Sequence, residues 1–184
     1  MSVRDQRAAN VLGASALALT DAILGGLEEE AGIASGEAAA LVSIATRDGG
    51  SIADLREALA LSHPGTVRLV DRLEAAGLAE RRPGPDGRRV ALVLTAPGRA
   101  AHDRLLAARD RALEVALEPL EASERDVLLP LLEKLLVGMS PAHRGRSYRI
   151  CRLCHVSPCR TGLGCPTDPD AAGFQALRRA LGAS

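Results

Sequence analysis

The sequence is nearly without aromatic residues, having no tryptophan, one tyrosine (Tyr148) and one phenylalanine (Phe174) in 184 residues. Both follow Met139, so any core before that point must be packed with leucine, valine, isoleucine and alanine. The same scarcity argues against a dedicated site for an aromatic ligand. Lysine is limited to Lys134; with Lys and Arg together at 23, the other twenty-two are arginine, a usage that points to coding bias more than to physical demand. The formal net charge is zero. That excludes a protein basic throughout, but not one with a local basic surface. No apolar run near the N-terminus has the flanks of a signal peptide: Val11 to Leu19 is interrupted by small residues and followed by Asp21 and three glutamates. A cytoplasmic protein without a membrane span is expected. Nothing resembles a catalytic triad, a phosphate-binding loop or a cofactor fingerprint, so an enzyme is not expected. What remains is ample apolar material, 47% of the chain, enough for a proper core in one domain or one and a half.

The most informative stretch runs from Ser51 to Thr95. Ser51, with Asp54 three residues on, opens a short helix that should bury Ile52, Leu55 and Leu59, and Leu61 should fill the following turn. Ser62 is a hydroxyl N-cap for a second helix, Pro64 suits its first turn, and Gly77 closes it after Ala76. Thr66, Leu69, Val70 and Leu73 recur at helical spacing as an inward stripe, which turns His63, Gly65, Val67, Arg68, Asp71 and Arg72 outward. Leu78 to Arg82 and Arg88 to Leu94 then flank the turn-forming run 83–87. In the second arm Val90, Leu92 and Leu94 should share one face and Arg89, Ala91 and Val93 the other. Six arginines (68, 72, 81, 82, 88 and 89) face four acidic residues (71, 74, 80 and 86), an excess of two. Helix, turn, helix and basic hairpin in this order make a winged helix-turn-helix.

The pattern resembles the MarR family of bacterial transcriptional regulators. It carries a second helix ending in RLVDRLE (Arg68 to Glu74), then Gly77-Leu78, then Asp86-Gly87-Arg88 in the wing, then Leu94-Thr95 through Gly98-Arg99. The likeness spans about Asn10 to Met139. It implies a mainly α fold with a small β-wing, N- and C-terminal dimerisation helices, and a homodimer that binds double-stranded operator DNA, here as a repressor. It also implies that Arg88 enters the minor groove while Asp86 holds the wing turn, and it allows a small-molecule effector or cysteine oxidation as the signal. Gly65 and His63 depart from the larger polar residue and the glutamine common at those places. The DNA-facing set is Ser62, His63, Arg68, Arg72, Asp86, Arg88 and Arg89, with a pseudo-palindromic operator whose half-sites lie about one helical turn apart.

Outside this stretch the periodicity predicts further helices over Ala8 to Glu30, with Gly25-Gly26 fraying its end, and over Glu37 to Arg47. Others follow over Ala96 to Leu117, capped by Thr95, and over Glu124 to Val137, capped by Ser123 and kinked at Pro130. The leucines of that last helix outnumber what one small domain can cover, so a partner subunit is the economical explanation.

After Met139 the composition changes, and the chain divides into a 1–140 winged-helix and dimerisation domain and a 141–184 extension. From Ala142 to Thr167 there are five arginines and no acid. All four cysteines, Cys151, Cys154, Cys159 and Cys165, fall within fifteen residues in a C-x2-C-x4-C-x5-C array. In a reducing compartment such an array indicates metal more than disulfide. Zinc in a closed tetrathiolate fits first. The alternative is a 4Fe-4S cluster, for which the proline after the last cysteine is a cue, and a metal-free thiol or disulfide switch is the third reading. His155 reads as a bystander. The centre is either a structural staple or a redox sensor. Asp168 to Leu181 should close the chain with a short helix capped by Asp170. The competing reading of the whole is a redox or electron-transfer protein that uses its winged helix as a protein-interaction module.

Overall fold

The computed structural model of the chain describes residues 1–84, 89–140, 149–159, 164–168 and 170–181. Helix α1, Val3–Ala31, starts five residues before the expected point because Ser2 and Asp5 form a capping box, and it ends at Gly32 in the left-handed conformation (φ 63°). Gly25 and Gly26 do not fray it. Gly26 lies where α1 packs on helix α5 (Ala96–Leu117), and a Cβ there would stand 3.6 Å from the carbonyl oxygen of Ala108. By length and composition Val3–Glu29 could cross a membrane. Its C-terminal part instead enters the protein's own core, with Leu27 only 1% exposed and Ile23 and Leu24 packed beside it.

Helix α2, Ser35–Thr46, is the central element: Ala38, Ala39, Ala40, Leu41, Val42 and Ile44 are all buried. A run of alanines lets the surrounding helices approach closely. Around it stand α3 (Ile52–Leu59), α4 (His63–Ala75), the antiparallel strands β1 (Ala79–Pro83) and β2 (Val90–Leu94), and α5. Ala79 pairs with Leu94 and Pro83 with Val90. The loop after α2 adds two backbone bonds to the wing, from Gly49 N–H to the Leu92 carbonyl (3.2 Å) and from Leu92 N–H to the Gly50 carbonyl (2.8 Å). One core joins α2, α4, both strands, α5 and the end of α1, entirely without aromatic side chains.

Some expectations are corrected. Leu61 is 40% exposed and does not fill the turn, where Ala60 adopts a left-handed conformation (φ 52°) that ends α3. On β2, Val90 is exposed and Ala91 buried, so the strict alternation expected for this arm does not hold. Helix α6, Ala122–Met139, begins two residues early: Glu121 and Glu124 form its capping box, leaving Ser123 inside the helix, which continues through Pro130. Most of its leucines are left uncovered among the described residues: Leu129, Leu131, Leu132 and Leu135 are exposed, Leu128 and Leu136 are partly buried, and Val137 is the helix's buried residue. Lys134 stands exposed among them. After a short helical turn α7 (Val156–Cys159), helix α8 (Ala172–Ala180) is preceded by Ala171 at its N-cap and not by Asp170. Phe174 on α8 is buried, and α8 packs on α6.

Candidate nucleic-acid interface and cysteine cluster

Helix α4 is fixed by its inner face. Thr66, Leu69, Val70 and Leu73 are buried as the spacing predicts, and the Thr66 hydroxyl donates to the Ser62 carbonyl (3.0 Å). Burial of a leucine such as Leu73 contributes about 2 kcal/mol. At the N-terminus the Ser62 hydroxyl accepts from Gly65 N–H (3.2 Å), and its geometry accounts for Gly65: a Cβ there would lie 3.1 Å from that oxygen. The outer face then carries His63 and Arg68 into solvent. Among the described residues Arg68 has no ion-pair partner. Arg72, also exposed, is held by Glu37 on α2 (3.3 Å) and reaches back toward the Arg68 carbonyl.

The arginines of the wing do not act alike. Arg81 pairs with both Glu74 and Asp71 on α4, and the Glu74 carboxylate also accepts from Arg81 N–H (2.9 Å). Arg82 pairs with Glu80. With Arg72, three of the six expected basic groups are thus paired with acidic neighbours, a pairing that spacing alone does not reveal. Arg89 is exposed beside the hairpin and near enough to Asp54 to stabilise its carboxylate. Asp54 is held below the ordinary carboxylate range first by its bonds to the Ser51 hydroxyl and N–H. Asp86 and Arg88 lie outside the described residues.

Most of the recurring sequence signature is structural. Gly77 takes the left-handed conformation (φ 67°) that turns the chain from α4 into β1. Thr95 accepts from Gly98 N–H (3.0 Å) as the cap of α5 and donates to the Gly77 carbonyl (2.6 Å), tying the end of the wing to the end of α4. A Cβ at Gly98 would lie 1.7 Å from the Leu78 carbonyl oxygen, so only glycine lets α5 start there. Arg99 donates to the Leu94 carbonyl (2.6 Å). The signature therefore aims α4 and the wing, while Arg68, His63 and Arg89 are left facing outward.

The cysteines gather at the other side of α2. A turn brings Cys154 N–H to the Cys151 carbonyl (2.9 Å), and a second brings Asp168 N–H to the Cys165 carbonyl (3.0 Å). Gly164, at φ 84° and with Ala171 in the way of any Cβ, sets the approach to Cys165. The hydroxyl of Thr167, 2% exposed, lies 3.1 Å from the Cys151 sulfur and 3.2 Å from that of Cys165. Contact with Cys151 holds Cys154 below the usual thiol range and raises Cys165; contact with Cys154 raises Cys151, and burial raises Cys159. No disulfide joins them. They meet in pairs: among the described residues, no three His, Cys, Asp or Glu side chains converge as the ligands of one ion. His155 turns away toward Asp110 (3.7 Å). A cavity of about 520 Å³, which the sequence gives no hint of, separates the cysteines from Val42, Thr46 and Arg47 on α2 and Ala58 on α3.

A family model described as the MarR family matches residues 31–89. Among solved structures, RV1404 from Mycobacterium tuberculosis is 26% identical with a TM-score of 0.62, the match covering 77% of this chain and 97% of that one. The M. tuberculosis MarR family protein Rv2887 in complex with DNA is 25% identical (TM-score 0.58; 69% of this chain, 95% of that). A cysteine-to-serine mutant of MarR from E. coli complexed with operator DNA is also 25% identical (TM-score 0.54; 68% and 93%). The curated proteins include no match to the sequence. The architecture is the MarR-type winged helix, mostly helical with one two-stranded sheet.

Proposed function

We propose that the chain is a MarR-family transcriptional regulator, not an enzyme, that binds operator DNA as a homodimer and represses from it. The observation that carries this reading is the outward face of α4, where Arg68 and His63 are exposed on a helix whose other face is locked into the core and whose N-terminus is free to approach phosphate. Two of the similar proteins are solved with DNA. The second copy accounts for the apolar surface left over. Val11, Leu12 and Leu17 on α1, with Leu129, Leu131 and Leu132 on α6, are each 43–69% exposed, and a matching face on a partner would bury them. Such a regulator works in the cytoplasm. The 520 Å³ cavity beside Arg47 is the place for a small-molecule effector.

In this reading Arg68 reads a base edge, Ser62 and His63 meet phosphate or bases at the helix start, and Arg89 and Arg88 contact the minor-groove side with Asp86 shaping the turn. Arg72, already paired with Glu37, contributes less than Arg68. Selection from a random duplex pool tests the reading, followed by binding of the enriched duplex across a salt series. A pseudo-palindrome is expected, with affinity falling linearly in log–log salt. Arg68→Ala should cost about 2 kcal/mol and relax sequence preference. Failure to enrich any duplex, or binding indifferent to salt, would rule the reading out.

A further inference from the structure

We propose that the four cysteines hold a single tetrahedral ion of the zinc class, with Thr167 as the hydroxyl that hydrogen-bonds its thiolates, and that this loaded knot clasps the C-terminal segment onto the DNA-reading head. The inference deepens the reading above and rests on it only for the word "reading"; the metal site stands on its own geometry.

Size decides between the metal centres. A tetrathiolate zinc with Zn–S bonds of ~2.3 Å has sulfurs about 3.8 Å apart. A cubane cluster keeps its four cysteines much further apart, because four irons stand between them. Here all four cysteines line one cavity. One hydroxyl also reaches both Cys151 and Cys165. Cys151 and Cys165 are thus already brought together around one hydroxyl, as one edge of a tetrahedron would require. Rotation of cysteine side chains about χ1 closes the rest, with the thiol protons passing to solvent as the ion binds.

Charge and polarity fit as well. A tetrathiolate around a divalent ion carries two negative charges, and the Arg109 guanidinium on α5 acts electrostatically on both Cys154 and Cys159. The Thr167 hydroxyl is buried, and the two sulfurs are its hydrogen-bonding contacts. An outer-shell donor of this sort holds ligands in place.

The knot touches both halves of the molecule. Leu153, between the first two cysteines, packs against the main core; His155 meets Asp110 of α5; Cys159 senses Glu133 of α6. Across the cavity stand α2 and α3, which carry the reading head. An ion that fixes four points between Cys151 and Cys165 therefore fixes the distance between the head and the terminal helices.

The test uses full-length protein purified without oxygen or added metal. Native mass spectrometry and metal analysis should find one zinc per chain in a colourless protein. The four thiols should resist alkylation until a chelator is added, and chelation should weaken binding of the selected duplex at least tenfold. Thr167→Val should keep the stoichiometry but lose metal affinity 10–100-fold against a chromophoric chelator, and Thr167→Ser, which restores the hydroxyl, should recover it. Iron with inorganic sulfide, or metal-free protein with four freely alkylated thiols, overturns the single-ion site. Unchanged affinity in Thr167→Val removes the threonine from it, and duplex binding unmoved by chelation overturns the clasp. Zinc found in a protein that binds no duplex would instead sink the regulator reading and leave the knot standing.

Discussion

Between Ser51 and Arg99 the shape is set by side-chain caps, a buried apolar stripe and carboxylate-guanidinium pairs that link α4 to the wing. Between Arg149 and Leu181, by contrast, only Thr167, Gly173 and Phe174 are buried among the described residues, and the fixed points are two tight turns and the Thr167 hydroxyl between the sulfurs of Cys151 and Cys165. The first region keeps its form because apolar burial exceeds the entropy lost in ordering it. The second is too short to do so alone, and small segments of this kind need a staple. The same chain thus sets a hydrocarbon core beside a segment that has little apolar burial of its own.

Gly98→Ala should have the largest effect, about 3 kcal/mol or more, since the new methyl collides with backbone and not with a side chain that could yield. Thermal unfolding would register it as a large drop in melting temperature with loss of the wing. Next, Leu132→Glu together with Leu135→Glu should leave both regions folded but separate the two copies. Sedimentation should then give a monomer with undiminished helical circular dichroism; a dimer would mean that α6 is not the interface. Chelation should raise hydrogen exchange across 149–181 while amides of 66–73 stay protected. If both sets lost protection together, the two regions would be one cooperative unit and the contrast between them would fail. The mildest change is Ser62→Ala, which removes one cap and should cost about 1 kcal/mol by denaturant titration, with the cysteine segment untouched.

What could be read in advance follows from which forces are local. The inward stripe of α4, the caps Ser51, Ser62 and Thr95, and the span of α5 were legible because helical periodicity and capping act within a few residues. The pairing of Arg81 with Glu74 and Asp71 was not, because it depends on where β1 folds back against α4. Glu121 outdid Ser123 as the cap of α6 because a reciprocal box with Glu124 satisfies two backbone groups, where a lone serine satisfies one. Val90 is exposed and Ala91 buried against the alternation expected for β2, because burial along a strand depends on what packs on each face, which no pattern within the strand can report. The cysteine array was legible as a close group of four thiols, but its proximity to α2 and α3, and the cavity between them, arise only when the tail folds back. Asp86 and Arg88 rest on sequence resemblance alone.

The solitary lysine gives the protein an unusual chemical simplicity. Apart from the α-amino group, an acylating dye or cross-linker has one amine to attack, Lys134, placed among the exposed leucines of α6. A fluorophore attached there sits on α6, at the surface expected to meet the second copy, and not on α4. Energy transfer between labelled chains would then count association events without disturbing operator contacts.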